Sequence, residues 1–85
     1  MSKLRESQKQ EIKEMISDKL FIDLELVQDD SIFVNDLGAD SLDEVEFIME
    51  VEKMFDISIP DEVAEEVHTV NQLFEVVERY IPETC

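Results

Sequence analysis

One glycine, Gly38, and two prolines, Pro60 and Pro82, are the only such residues in a chain of 85. Tight β-hairpins draw on Gly, Asn-Gly and Pro turns, so a sheet protein of this length needs more of them. The apolar residues recur instead at intervals of three and four, the period of helices that bury one face. The chain therefore reads as all-α: a single small domain over residues 1–85, with its core at about 8–81 and frayed ends. It is a bundle of three main helices and one short one.

The first helix is expected to start near Ser2 or Ser7, where Ser7 to Gln10 has capping-box spacing, and to reach about Leu20. Ile12, Met15, Ile16 and Leu20 share one face. A long connection runs from Phe21 to about Asp40. Its Leu24, Leu26, Ile32, Phe33, Val34 and Leu37 suggest that it packs. The second helix is expected from Asp40 or Ser41 to about Phe55. Phe55 to Pro60 crosses in extended form, because a residue before proline is pushed away from helical angles. A short helix then covers Asp61 to about Val67. The last helix is capped by Thr69, carries Val70, Leu73, Phe74, Val77, Tyr80 and Ile81, and is ended by Pro82.

Twenty-three acidic residues oppose seven basic ones, a formal net charge of −16. Nucleic acid and anionic membrane surfaces would repel such a chain, whereas basic protein surfaces would attract it and speed association. The helical spacing of the apolar residues argues against disorder despite the charge. The lone Cys85 cannot form an internal disulfide, in keeping with a reducing compartment. No segment has the length of a membrane span, and the N-terminus has no apolar signal core. The expected setting is cytoplasmic, and the expected state monomeric.

The second helix has two apolar faces. With residues 100° apart, Phe47, Ile48, Val51, Met54 and Phe55 fall within an arc of about 120° and form the core stripe. Leu42, Val45 and Met49 cluster on the opposite side. Asp40, Asp43, Glu46, Glu50 and Glu52 border that second stripe. Either the long connection covers it, or it is an exposed apolar strip framed by carboxylates, the makeup of a docking face for a basic partner. Glu44 lies on the core-facing arc in the first turn, where a buried unpaired carboxylate would be costly, so it is expected at the mouth of the bundle.

Ser41 stands at the start of this helix. Ser41 to Glu44 has capping-box spacing, and so does Asp40 to Asp43, so either pair can hold the helix end. An exposed hydroxyl there could also carry a phosphate, which unpaired amides and the positive end of the helix dipole would favour. Gly38 lies three residues earlier and permits a positive φ.

The run Asp36-Leu37-Gly38-Ala39-Asp40-Ser41-Leu42-Asp43, followed by Val45-Glu46, closely resembles the signature of acyl carrier proteins of dissociated (type II) fatty-acid synthesis. The resemblance continues through Phe55-Asp56-Ile57-Ser58-Ile59-Pro60-Asp61-Glu62 and Thr69-Val70 and covers roughly residues 8 to 81. It implies an acyl-carrier-like bundle in which Ser41 carries 4′-phosphopantetheine through a phosphodiester and the arm's thiol holds acyl thioesters. It further implies a partner face at Asp40, Leu42, Asp43, Val45, Glu46, Met49 and Glu52, and an acyl pocket lined partly by Phe47, Ile48 and Val51. The partners implied are a phosphopantetheinyl transferase, acyl transferases, ketoacyl synthases and other enzymes with basic docking patches. Four positions depart from the usual pattern: Phe21 replaces a small residue, Glu44 a small or apolar one, Ser58 an acidic one, and Phe47 an aliphatic one.

Other readings are a carrier of polyketide, aryl or aminoacyl intermediates, and an unmodified acidic adaptor. A calcium sensor lacks its Asp-x-Asp-x-Asp-Gly loop. An enzyme is the weakest reading: the only histidine, His68, is expected in a turn, and Cys85 is terminal, so no nucleophile–base or metal constellation is visible. No catalytic residue and no metal ligand are assigned.

Overall fold

The computed structural model describes residues 4–81. The expected frayed ends, the start at Ser2, the stop at Pro82 and the thiol of Cys85 lie outside the described residues. Helix α1 spans Glu6–Leu20, α2 Phe33–Leu37, α3 Ser41–Phe55, α4 Asp61–Ala64 and α5 Val70–Tyr80, with a single 3-10 turn at Leu24–Leu26. The architecture is the expected all-helical bundle, and the three long helices are those that periodicity places.

The core is built from one face of each long helix. Ile12 and Ile16 of α1, Phe47 and Val51 of α3, and Val70, Leu73 and Val77 of α5 are shielded completely from solvent. Phe33 joins them from α2, its ring edge-on to Phe47 with centroids 4.9 Å apart. Such pairs add about 0.5–1.5 kcal/mol beyond the area they bury.

Several boundaries move from their expected places. Helix α1 starts at Glu6, before Ser7, because the Gln8 side chain reaches back and accepts from the Arg5 amide at 2.9 Å. Helix α4 stops at Ala64. Its end tightens through i→i+3 bonds, Glu66 N–H to Val63 O and Val67 N–H to Ala64 O, which do not propagate an α-helix.

The long connection does pack, by fewer side chains than its composition suggests. Phe33 and Leu37 are buried, and so are Val27 and Ala39, but Leu26, Ile32 and Val34 remain exposed. Backbone bonds do the rest. Phe33 N–H donates to His68 O, Val70 N–H to Ser31 O and Asn71 N–H to Asp29 O, stitching the connection to the start of α5. Helix α2 within it is held by Asp36, whose carboxylate accepts from the Ile32 amide at 2.8 Å.

Three helices end in the left-handed conformation. Gly38 closes α2 with φ 72°, ahead of Ala39, whose amide returns to Phe33 O. A Cβ there would meet nothing within 4 Å, so the backbone angle, not crowding, asks for glycine. Asp56 closes α3 at φ 54°, and aspartate is among the residues that tolerate it. Phe21 closes α1 at φ 57°, a conformation that opposes a bulky side chain by about 1–2 kcal/mol.

Candidate functional site: Ser41 and the two flanks of helix α3

Asp40 caps α3. Its Oδ1 accepts from the Asp43 amide at 2.9 Å, and the Asp43 carboxylate accepts from the Asp40 amide at 3.1 Å. This settles which of the two overlapping boxes forms. Glu44 is drawn elsewhere: its Oε2 lies 3.4 Å from Nδ1 of His68. Ser41 is therefore the first helical residue and not the cap. Its side chain is exposed, and among the described residues none hydrogen-bonds its hydroxyl. The first turn also offers amides with no intrahelical acceptor. An exposed hydroxyl is thus presented on a helix without being needed to cap it.

Beside Ser41 a cleft of about 520 Å³ opens between α3 and the segment that includes α4. Helix α3 lines it with Ser41, Glu44, Val45, Ile48, Met49 and Glu52. The opposite wall is Ile59, Asp61, Ala64, Glu65 and His68. Glu52 ties the two walls together, its Oε2 accepting from the Ile59 amide at 2.8 Å. Glu44 and His68 face each other within the cleft lining, the Glu44 side chain only 14% exposed and His68 58%.

The second apolar stripe is exposed. Leu42, Val45 and Met49 are 71, 55 and 51% accessible, so the connection does not cover them. On one side the strip runs into the cleft, which Val45 and Met49 also line. On the other, Glu46 and Glu50 lie 3.8 and 3.6 Å from Lys19 Nζ at the end of α1.

The residues singled out from sequence thus fall into three groups. Leu42, Val45, Met49 and Glu46 share the outward face, with Asp40 and Asp43 at its N-terminal end, where both are engaged in the cap. Glu52 turns toward the cleft and is half-buried. Of the expected pocket residues, Ile48 lines the cleft, whereas Phe47 and Val51 are wholly enclosed in the core and do not line it. Sequence reasoning missed the far wall, Ile59, Asp61, Ala64 and Glu65. It also missed the facing of Glu44 and His68; an acidic residue on a core-facing arc was the available signal, but its mate 24 residues away was not.

A protein family described as "Phosphopantetheine attachment site" matches residues 10–77, which include α3, the cleft and Ser41. The chain belongs to this family. Family membership also brings the expected cofactor, and the donor chemistry at Ser41 fits it: one exposed, unengaged hydroxyl at a helix N-terminus is what a phosphodiester linkage requires. Among curated relatives, this family member is 47% identical over 70 residues to a protein named "Acyl carrier protein" from Karelsulcia muelleri (strain GWSS). The match spans 82% of this chain and 84% of that one. No helix of the described residues is long and apolar enough to cross a membrane.

Proposed function

We propose that the protein is an acyl carrier of dissociated fatty-acid synthesis, with 4′-phosphopantetheine attached at Ser41 and acyl groups held as thioesters on the arm. The observation that carries this reading is the exposed Ser41 hydroxyl, released from capping by the Asp40–Asp43 pair, inside the matched span. Attachment would form a phosphodiester to Ser41 Oγ and break the pyrophosphate bond of coenzyme A. The nucleotide half departs, and the serine proton passes to the transferase. The bound arm supplies a thiol; this chain supplies the anchoring oxygen, the cleft and a docking face, and no catalytic group.

The exposed strip of Leu42, Val45 and Met49, with Asp40, Asp43 and Glu46 around it, serves as the partner face in this reading, and Glu52, tied to the Ile59 amide, belongs to the cleft. Its partners are a phosphopantetheinyl transferase, acyl transferases and ketoacyl synthases with basic patches, in the cytoplasm. The acyl chain rests in the cleft against Ile48, Ile59 and Ala64. Each methylene sheltered there gains roughly 0.8 kcal/mol.

The test is intact mass after incubation with a broad-specificity phosphopantetheinyl transferase and coenzyme A. One arm is expected on the wild type and none on Ser41→Ala. A Ser41→Ala protein that still gains the arm overturns the site. A wild type that never gains it leaves an unmodified adaptor as the reading.

A further inference from the structure

Phe21 combines two features that burden the free protein. Its backbone is left-handed, φ 57° and ψ 45°, at the end of α1. Its side chain is 94% exposed. The other non-glycine residue with positive φ among those described, Asp56, is a polar residue that accepts the conformation readily. Glycine would relieve the strain at position 21, and any polar residue would remove the exposed ring. A strained, exposed aromatic that nothing in the fold uses is a reason to look for a use outside it.

Its place supplies one. Lys19, two residues earlier, reaches both Glu46 and Glu50 on the flank of α3. The end of α1 therefore lies against the border of the Leu42–Val45–Met49 strip. Glu46 and Glu50 are five and nine residues beyond Ser41, roughly 8 and 14 Å along the helix axis. A protein partner with a footprint of about 800 Å² spans more than that, so one that covers the strip also reaches the end of α1. The surroundings carry negative charge on a chain of net −16, so the complementary surface is basic. A lipid surface of anionic character, or a second copy of this chain, would be repelled.

We propose that Phe21 is a second docking anchor, entering an apolar socket rimmed by Lys or Arg on the enzyme that engages α3. Lys19, 3.8 and 3.6 Å from Glu46 and Glu50, marks where the end of α1 borders α3, beside the strip that the same partner covers. The inference rests on the carrier reading above and adds a specificity determinant outside α3.

The experiment compares wild type, Phe21→Gly and Phe21→Tyr, each loaded by a broad-specificity phosphopantetheinyl transferase from an acyl-coenzyme A, so that the arm arrives already carrying its thioester, and then offered to a ketoacyl synthase. KM for the carrier and kcat are measured for both enzymes, with the melting temperature recorded alongside. Phe21→Gly is expected to melt no lower than wild type, since strain is relieved, while KM rises about ten-fold with at least one enzyme and kcat stays within two-fold. Phe21→Tyr, which keeps the ring, is expected to retain wild-type KM. KM unchanged with both enzymes in Phe21→Gly overturns the anchor while loading of Ser41 leaves the carrier reading intact. Failure of the wild type to load overturns the carrier reading itself and the anchor with it. Light scattering that finds a dimer in wild type and a monomer in Phe21→Gly also overturns the proposal, by making the occupant a second copy.

Discussion

Asp40 and Ser41 are neighbours with separate duties, and that separation can be measured. Asp40 accepts the Asp43 amide and holds the first turn of α3. Replacing an N-cap carboxylate by alanine removes about 1 kcal/mol of stability. Asp40→Ala is therefore expected to lower the urea midpoint, whereas Ser41→Ala, at the first helical position, is expected to leave it nearly unchanged. Ser41→Ala destabilising as much as Asp40→Ala would mean that serine shares the cap. The same pair shows why sequence stops short here. Asp40–Asp43 and Ser41–Glu44 are the same spacing shifted by one residue, and local chemistry supports both. The choice is tertiary: His68, brought in from before α5, stands where the Glu44 carboxylate points.

Helix α3 works because its faces do different things. Phe47 is fully enclosed against Phe33, and Met49, two residues on, is half in water. Phe47→Ala is expected to lose about 3–5 kcal/mol, much of what a domain this small has. Met49→Ala is expected to change stability by less than about 0.5 kcal/mol. If the outward strip is the partner face, Met49→Ala still raises the transferase KM for the carrier; an unchanged KM would remove Met49 from that face. Charge reversal is best made at Glu46, because Asp43 is also half of the capping box and its loss would unwind the first turn. Glu46→Lys meets Lys19 and is expected to weaken docking with only a small loss of stability, since exposed pairs contribute about 0–1 kcal/mol. The long helices were legible because a dozen residues display a period. Helix α2 has only five residues, too few for a stripe, and forms on the strength of the Ile32–Asp36 bond and the stitching to α5. The cleft was illegible for a related reason: its second wall lies in the crossing and the short helix, whose sequence pattern marks only where helices stop.

At the scale of the whole molecule, the charge outweighs the ion pairs. The radius of gyration is 11.9 Å, close to one Debye length at about 0.1 M salt, so at lower ionic strength most of the carboxylates feel one another across the bundle. Among the described residues the opposing attractions include Lys13 with Asp29 at 2.6 Å, and Lys19 shared between Glu46 and Glu50. These pairs are at least partly exposed, and salt screens them as well. With a net charge of −16, screening removes more repulsion than attraction. The melting temperature is thus expected to rise as sodium chloride increases from about 0.01 to 0.5 M, where the Debye length falls from about 30 Å to only a few ångströms. Sodium chloride is the salt to use, because sulfate stabilises by exclusion from apolar surface whatever the charge. A melting temperature that falls with sodium chloride would show that the ion pairs outweigh the self-repulsion. The same screening should raise KM for a basic partner, so stability and docking are expected to move in opposite directions along one salt titration. A basic docking surface binding this carrier would itself offset the repulsion, so in the proposed reading the charge that opposes the free bundle is also the charge that would favour docking.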